Sequence, residues 1–231
     1  MSVRAVVFDV DGTLLDTMTS VPRAYVETIR DLGGPGLTLA QLIATWHIGP
    51  APVILTHFLG RSATGSDLEV FYDRVAAAAE STSPFPGVLE LLNALRHNGM
   101  PLAVYTSATR RIADMMLTGT GLNDYFPVVV TGDQVANPKP APDGLLDACR
   151  LMGIPASATA YVGDSDTDLG CARAARAIPI HARWSAHTES APGHPHTAYR
   201  PADVITVLAS ASPTGHARDG AQETVFLDAV E

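Results

Sequence analysis

Short apolar runs recur along this chain at intervals that leave room for a helix between them. Residues 4–8 are too continuously apolar for a surface helix and predict a strand buried on both faces, as in a parallel sheet. Runs of the same kind at 101–106, 127–130, 158–163 and 178–182 predict four more strands. Between them the spacing of apolar positions changes to the helical one, over 87–98, 109–118, 142–152 and 167–175. The stretch after the first strand has a different rhythm. Residues 21–32 carry Val21, Tyr25, Ile29 and Leu32 at helical spacing and stop at Gly33-Gly34. Further helical patterns cover 38–45, 51–59 and 66–80, with Pro and Gly between them, and Pro84-Phe85-Pro86-Gly87 reads as a hinge. Residues 200–209 predict one last helix.

Strands alternating with helices imply an α/β fold with a doubly wound, Rossmann-like parallel sheet, whose ligands sit at the strand C-termini. The all-helical interruption is read as an inserted α-helical cap over 15–84, which leaves 1–14 and 85–209 as the core. From about residue 210 to 231 the chain is rich in Ala, Gly, Pro and charge and is expected to be disordered. There is no internal repeat.

Candidate chemistry lies where this pattern puts it, just past the strands. The first strand runs into Asp9-Val10-Asp11-Gly12-Thr13, and the fourth into Gly163-Asp164-Ser165-Asp166-Thr167-Asp168. The second ends in Thr106-Ser107. Between them stands Lys139, the one lysine of the chain against fourteen arginines, in Asn137-Pro138-Lys139-Pro140-Ala141-Pro142-Asp143. Carboxylates converging at strand ends beside one ammonium make an acidic pocket suited to a divalent cation and a phosphoryl group. Composition narrows the partners. The net charge of −9 argues against nucleic acid and would repel an anionic substrate unless a cation intervened, and bound Mg²⁺ supplies one. No apolar run approaches the roughly 20 residues of a membrane span. Residues 1–10 carry no basic and apolar leader, so a cytoplasmic protein is expected. The two cysteines, Cys149 and Cys171, have no metal or redox spacing and read as small buried apolar residues.

The four motifs in this order resemble the haloacid dehalogenase superfamily, in its phosphoglycolate-phosphatase-like branch with a helical cap, over nearly the whole chain up to about residue 185. The resemblance implies a Mg²⁺-dependent phosphatase acting on a small phosphorylated metabolite, phosphoglycolate-like or a sugar phosphate, through an aspartyl phosphate. Asp9 would be the nucleophile and Asp11 the general acid and base. Gly12 permits a tight turn, which Thr13 caps, and both would border the phosphate. Thr106 would donate its hydroxyl to a phosphoryl oxygen and Ser107 its backbone N–H. Lys139 would neutralise and orient Asp9 and the phosphate. Asp9, Asp164 and the backbone carbonyl of Asp11 would hold Mg²⁺, with Asp168 assisting as ligand or as support. In the cap, Arg23, His47, Arg61 and Trp46 are candidates to reach the substrate. His187, His194, His196 and His216 fall in Gly/Pro/Ser-rich segments and read as solvated loop.

Other members of the superfamily are set apart by single residues. Haloacid dehalogenases lack an aspartate where Asp11 stands, and phosphonoacetaldehyde hydrolases need a cap lysine that is absent here. A phosphomutase is the enzymatic alternative, although the histidine usual at the start of its first cap helix is replaced by Ser20-Val21-Pro22. A catalytically silent binding or regulatory module is the non-enzymatic one, and the complete motif set argues against it. A monomer or a homodimer is expected.

Overall fold

A computed structural model describes residues 2–186 and 196–211 of the chain. Six parallel strands form one sheet: β1 (Ala5–Phe8), β2 (Leu102–Thr106), β3 (Val128–Thr131), β4 (Thr159–Gly163), β5 (Ile178–Ala182) and β6 (Thr197–Ala198), in the order β3-β2-β1-β4-β5-β6. β1 lies in the middle. Its register sets Phe8 beside Val104 on one side and beside Val162 on the other. Strand alternation sorts the side chains. Val6, Phe8, Val104 and Val162 join one apolar cluster, while Val7, Ala103, Tyr105 and Tyr161 join another. Both faces are covered, which is why β1 carries no polar residue. Burying a side chain such as Phe8 contributes roughly 1.5–3 kcal/mol relative to exposure.

Between β1 and β2 the chain makes α1 (Ser20–Asp31), α2 (Leu39–Ala44), α3 (Ala51–Leu59), α4 (Gly65–Ser81) and α5 (Val88–His97), and the first four of these form the helical insertion. The two strands of chain that lead into and out of it run side by side, with Leu15 bridged to Pro84 and the Phe85 N–H donating to the Leu14 carbonyl at 3.0 Å. Threonines cap α2 and α4, each in a reciprocal box, Thr38 with Gln41 and Thr64 with Asp67. Arg74 on α4 pairs with Glu27 at 2.9 Å and with Asp31, both on α1.

The remaining helices are α6 (Arg110–Gly119), α7 (Asp143–Met152), α8 (Asp166–Ala174) and α9 (Asp203–Ala211). Leu145, Ala148, Cys149, Cys171 and Ala172 of α7 and α8 cover one face of the sheet. Leu91, Leu92, Ile112, Met116, Val204 and Leu208 of α5, α6 and α9 belong to the cluster of the other face. That cluster continues into the insertion through Phe71, Val75 and Ala79 of α4, so the insertion is held by packing as well as by its linkers. A β-carbon on Gly119 would stand 2.8 Å from that of Ala79, so a glycine is what lets α6 and α4 approach here. Arg111 of α6 adds an ion pair to Glu69 at 2.6 Å and lies 3.9 Å from the Tyr72 ring centre.

One strand escaped the pattern. β6 has two residues, too few to show any alternation, and pairs with β5 through Ala182 and Ala198. His196, expected in a solvated loop, accepts the His181 N–H at 2.9 Å through its backbone carbonyl and so is tied to the sheet edge. His187, His194 and His216 lie outside the described residues, as does 212–231 of the tail expected to be disordered. Both cysteines are buried and free, as small apolar residues of helices should be.

Candidate active site

β1 and β4 are neighbours that end together, and this juxtaposition builds the site. The Asp9 N–H donates to the Val162 carbonyl at 2.9 Å, which sets Asp9 at the rim of the sheet beside Gly163 and Asp164. Lys139 arrives from the connection between β3 and α7. Its buried ammonium donates to Asp9 Oδ1 at 2.6 Å and to Asp168 Oδ1 at 2.7 Å. Asp168 Oδ1 also meets the Tyr161 hydroxyl at 3.1 Å, while Oδ2 accepts the Ser165 hydroxyl at 2.6 Å and the Ser165 N–H at 3.2 Å. Ser165 and Asp168 are the capping box of α8, so the helix terminus itself fixes the carboxylate that holds the lysine.

After Asp9 the chain turns sharply. The N–H groups of Leu14 and Leu15 both donate to the Val10 carbonyl, at 2.9 and 3.0 Å. Gly12 has φ +80°, and a β-carbon there would overlap Asp164 Oδ2. Only glycine lets the turn pass this close to the carboxylate. Thr13 donates its hydroxyl to Asp164 Oδ1 at 3.2 Å, and its carbonyl accepts the Trp184 indole N–H at 2.9 Å. Thr17 donates its hydroxyl to Asp11 Oδ1. Thr106, fully buried at the end of β2, accepts the Ala108 N–H at 3.1 Å. Its own hydroxyl proton has no acceptor among the described residues. Ser107 follows it and is exposed.

Four carboxylates thus share one ammonium. Burial, followed by the charge of Asp168, pushes the Asp164 carboxyl up to about 7. Burial also raises Asp9, against the pull of Lys139 and with the repulsion of Asp168, Asp164 and Asp11. Asp11 is raised by burial too, against the Thr17 hydroxyl bond. Burial would raise Asp168, but Lys139 and Ser165 hold it below its ordinary value. Burial would lower Lys139, and the attraction of Asp168 and Asp9 outweighs it. The cluster is short of positive charge. Asp9, Asp164 and Asp168 each offer an oxygen within 4.8 Å of the others, a hard all-oxygen set of the kind Mg²⁺ takes. The donor set therefore fits a divalent cation.

A stability prediction follows from these directions. An acid whose carboxyl is raised on folding binds more protons folded than unfolded, so its contribution falls as pH rises. For Asp164 that window runs from the ordinary 3.8 to about 7. Asp168, shifted down, loses its contribution only at lower pH, and Lys139 only in strong alkali. In chelator the thermal midpoint should fall between pH 5 and pH 8, and Mg²⁺ should restore more at pH 8 than at pH 5. Thermal unfolding in the two buffers checks this, and a midpoint that climbs over that window without metal would contradict it.

The structure gathers Asp9, Asp11, Gly12, Thr13, Thr106, Lys139, Asp164 and Asp168 at the C-terminal edge of the sheet. Asp168 arrives with both oxygens engaged. The cap residues are placed differently. Arg61 forms a two-pronged pair with Asp67, at 2.6 and 3.1 Å, beside the N-terminus of α4, a use other than the substrate contact expected of it. Trp46 packs against the apolar cluster. His47 falls in the single turn Trp46–Ile48, and its side chain lies outside those described. Arg23 lines a cleft of about 420 Å³ at the junction of insertion and core, with Asp16, Ser20, Thr82 and Ser83, and has no ion-pair partner among the described residues. Sequence reasoning passed over Thr17, Tyr161, Ser165 and Trp184. Ser165 had a legible signal, a serine three residues before Asp168 at a helix start. Trp184 had none, because it reaches Thr13 from 171 positions away.

The model of the haloacid dehalogenase-like hydrolases matches residues 6–180. Phosphoglycolate phosphatase from Cupriavidus necator is 36% identical over 182 residues, covering 76% of this chain and 78% of the relative. Phosphoglycolate phosphatase from Thiobacillus denitrificans is 31% identical, covering 76% of this chain and 81% of the relative. Among solved structures, CbbY from Rhodobacter sphaeroides, in complex with phosphate, superposes with a TM-score of 0.76 at 23% identity. It covers 90% of this chain and 99% of that one, a likeness of fold. Among the described residues no helix is long and apolar enough to cross a membrane. With a family match that runs from β1 into β5 and the acidic site at the strand ends, the chain belongs to the haloacid dehalogenase-like hydrolases, in their phosphoglycolate-phosphatase-like branch.

Proposed function

We propose that this phosphatase hydrolyses a small phosphorylated metabolite, of the phosphoglycolate or sugar-phosphate kind, with Asp9 as nucleophile. The observation that carries the reading is the state of Lys139. An ammonium has three N–H donors, and here two are spent on Asp9 and Asp168. The third has no acceptor among the described residues and is free for a phosphoryl oxygen. The unspent hydroxyl proton of Thr106 is a second donor for the same group.

Lys139 holds Asp9 Oδ1, which leaves Oδ2 to attack phosphorus. A bond forms between that oxygen and phosphorus as the ester P–O bond breaks, and Asp11 gives its proton to the departing oxygen. Burial keeps that proton on Asp11 at higher pH than an ordinary carboxyl would. Asp11, now ionised and braced by Thr17, takes a proton from water, and the hydroxide opens the aspartyl phosphate to release phosphate and restore Asp9. Lys139 and Thr106 stabilise the charge on the phosphoryl oxygens throughout. Asp9, Asp164 and the carbonyl of Asp11 would hold Mg²⁺, which when bound offsets the repulsion between the Asp9 carboxylate and an anionic phosphate. Asp168 serves in this scheme by holding Lys139.

The test is phosphate release from phosphoglycolate, a panel of sugar phosphates and p-nitrophenyl phosphate, with Mg²⁺ and with chelator. Release that needs Mg²⁺ supports the reading. No release from any substrate with Mg²⁺ would sink it, and undiminished release in chelator would remove the metal.

Arg23, which lines the cleft at the junction and has no ion-pair partner among the described residues, is the cap residue we assign to the rest of the substrate. Losing a hydrogen bond to a charged group costs about 1.5–3 kcal/mol, so Arg23→Ala should raise KM for an anionic substrate such as phosphoglycolate by about tenfold or more. KM for p-nitrophenyl phosphate, which offers little beyond its phosphate, should stay within about twofold. Equal changes on both substrates would take Arg23 out of substrate selection.

A further inference from the structure

Tyr161 takes no part in the chemistry above, yet its hydroxyl touches the group that orients the reactive lysine. It lies in β4 with Val7 as its neighbour in β1, and strand alternation turns its ring onto the face that also carries Ala103 and Tyr105. A hydroxyl buried this deeply needs partners. It has two, the Tyr105 carbonyl at 2.8 Å and Asp168 Oδ1 at 3.1 Å. One proton faces two acceptors, so the phenol oxygen is held between β2 and the start of α8.

The same two tyrosines wall in the lysine. The Lys139 ammonium lies 4.9 Å from the Tyr105 ring centre and 5.3 Å from that of Tyr161. The rings are 6.2 Å apart and inclined by 29°. Faces of aromatic rings attract a cation, the more so where water is excluded. Gly144 of α7 is what admits Tyr105, since a β-carbon there would overlap the ring. The ammonium is thus caged by two carboxylates and two aromatic faces. Of the carboxylates, Asp9 must react and change its bonding. Asp168 is the fixed wall, and it is fixed at Oδ2 by Ser165 and at Oδ1 by Tyr161.

We propose that Tyr161 is a positioning residue for Lys139, its hydroxyl setting Asp168 so that the ammonium stays at the distance from Asp9 at which its third N–H meets the phosphoryl oxygen. The inference rests on the phosphatase reading above. Without the hydroxyl, Oδ1 of Asp168 is held by the lysine alone, and the carboxylate can turn about its Ser165-bonded Oδ2 and carry the ammonium away from Asp9. The substrate's ground state loses little by such a drift. The transition state, where charge builds on the phosphoryl oxygens, loses more, so the effect falls on kcat rather than on KM.

Tyr161→Phe tests this, because it keeps the ring and its packing and deletes only the hydroxyl. Turnover of p-nitrophenyl phosphate and phosphoglycolate should drop about tenfold in kcat, with KM within about twofold and the thermal midpoint within a few degrees. In a Lys139→Met background the same substitution should cost nothing further, since a residue that acts through the lysine has nothing left to act on. An unchanged kcat, a rise in KM matched by a fall in thermal midpoint, or a full second loss in the double variant would each overturn the proposal. Should Tyr161→Phe fail to fold, Asp168→Asn weakens the same link from the other side, and an unchanged kcat there would overturn it equally. Absence of turnover by the wild type would sink the phosphatase reading and this inference together, whereas wild-type turnover unaltered in Tyr161→Phe sinks this one alone.

Discussion

Asp9→Asn should lose at least about 10³-fold in kcat on every substrate, because nucleophile and general acid act as a unit and the remaining parts cannot replace the first step. An amide is a poor nucleophile and a weak ligand for a hard cation. The fold should survive. The carboxylate at this position is disfavoured by burial and by three neighbouring carboxylates, and Lys139 keeps Asp168 as a partner in the variant. Thermal unfolding in chelator should therefore give a midpoint within a few degrees of wild type, with a smaller gain on adding Mg²⁺. Turnover near wild-type rates would remove Asp9 as nucleophile and with it the aspartyl-phosphate scheme.

Lys139→Met should damage activity and stability together. Removing one partner of a buried ion pair leaves uncompensated charge, at a cost of about 3–5 kcal/mol, and here both Asp9 and Asp168 are left. The loss should shrink in acid, where those carboxyls can take up protons. With the phosphoryl donor gone, kcat should fall by about 10²–10³-fold, the usual consequence of removing one preorganised donor. Lys139→Arg keeps the charge and should still lose about tenfold or more. A planar guanidinium has a different reach from a compact ammonium, and this cage has Tyr105 at 4.9 Å on one side and Asp9 at 2.6 Å on the other. Denaturant unfolding and steady-state rates measure the two effects separately. A stable, fully active Lys139→Met would take the lysine out of the catalytic scheme.

Much of this site could be read in one dimension because its parts are local. A strand that ends in Asp9-Val10-Asp11-Gly12-Thr13 carries the proposed nucleophile, the proposed acid and the turn within five residues, and the chain direction alone puts them at one edge of a parallel sheet. Gly163 to Asp168 does the same for β4 and α8. The helices between β1 and β2 were legible for a similar reason, since apolar spacing and the Pro and Gly that interrupt it are properties of neighbouring positions. β6 was not, because two residues contain no period and Thr197-Ala198 becomes a strand only through its pairing with His181 and Ala182.

Side-chain partnerships between distant segments were illegible on the same ground. Arg61 looked like a free cation near a substrate, and only the fold shows it paired with Asp67. Asp168 was expected as a metal ligand or as support for one, and only the fold shows Lys139, Tyr161 and Ser165 using its oxygens. By itself the sequence determined the fold class and the edge of the sheet at which the candidate residues gather, since these follow from periodicity and chain direction, whereas the roles proposed for those residues come from the resemblance to the family. Tertiary structure alone decided which charge faces which: the ammonium of Lys139 between carboxylates 130 and 29 positions away, and the tyrosine faces around it. Attraction between charges depends on distance in space and on exclusion of water, and neither is written in the order of residues.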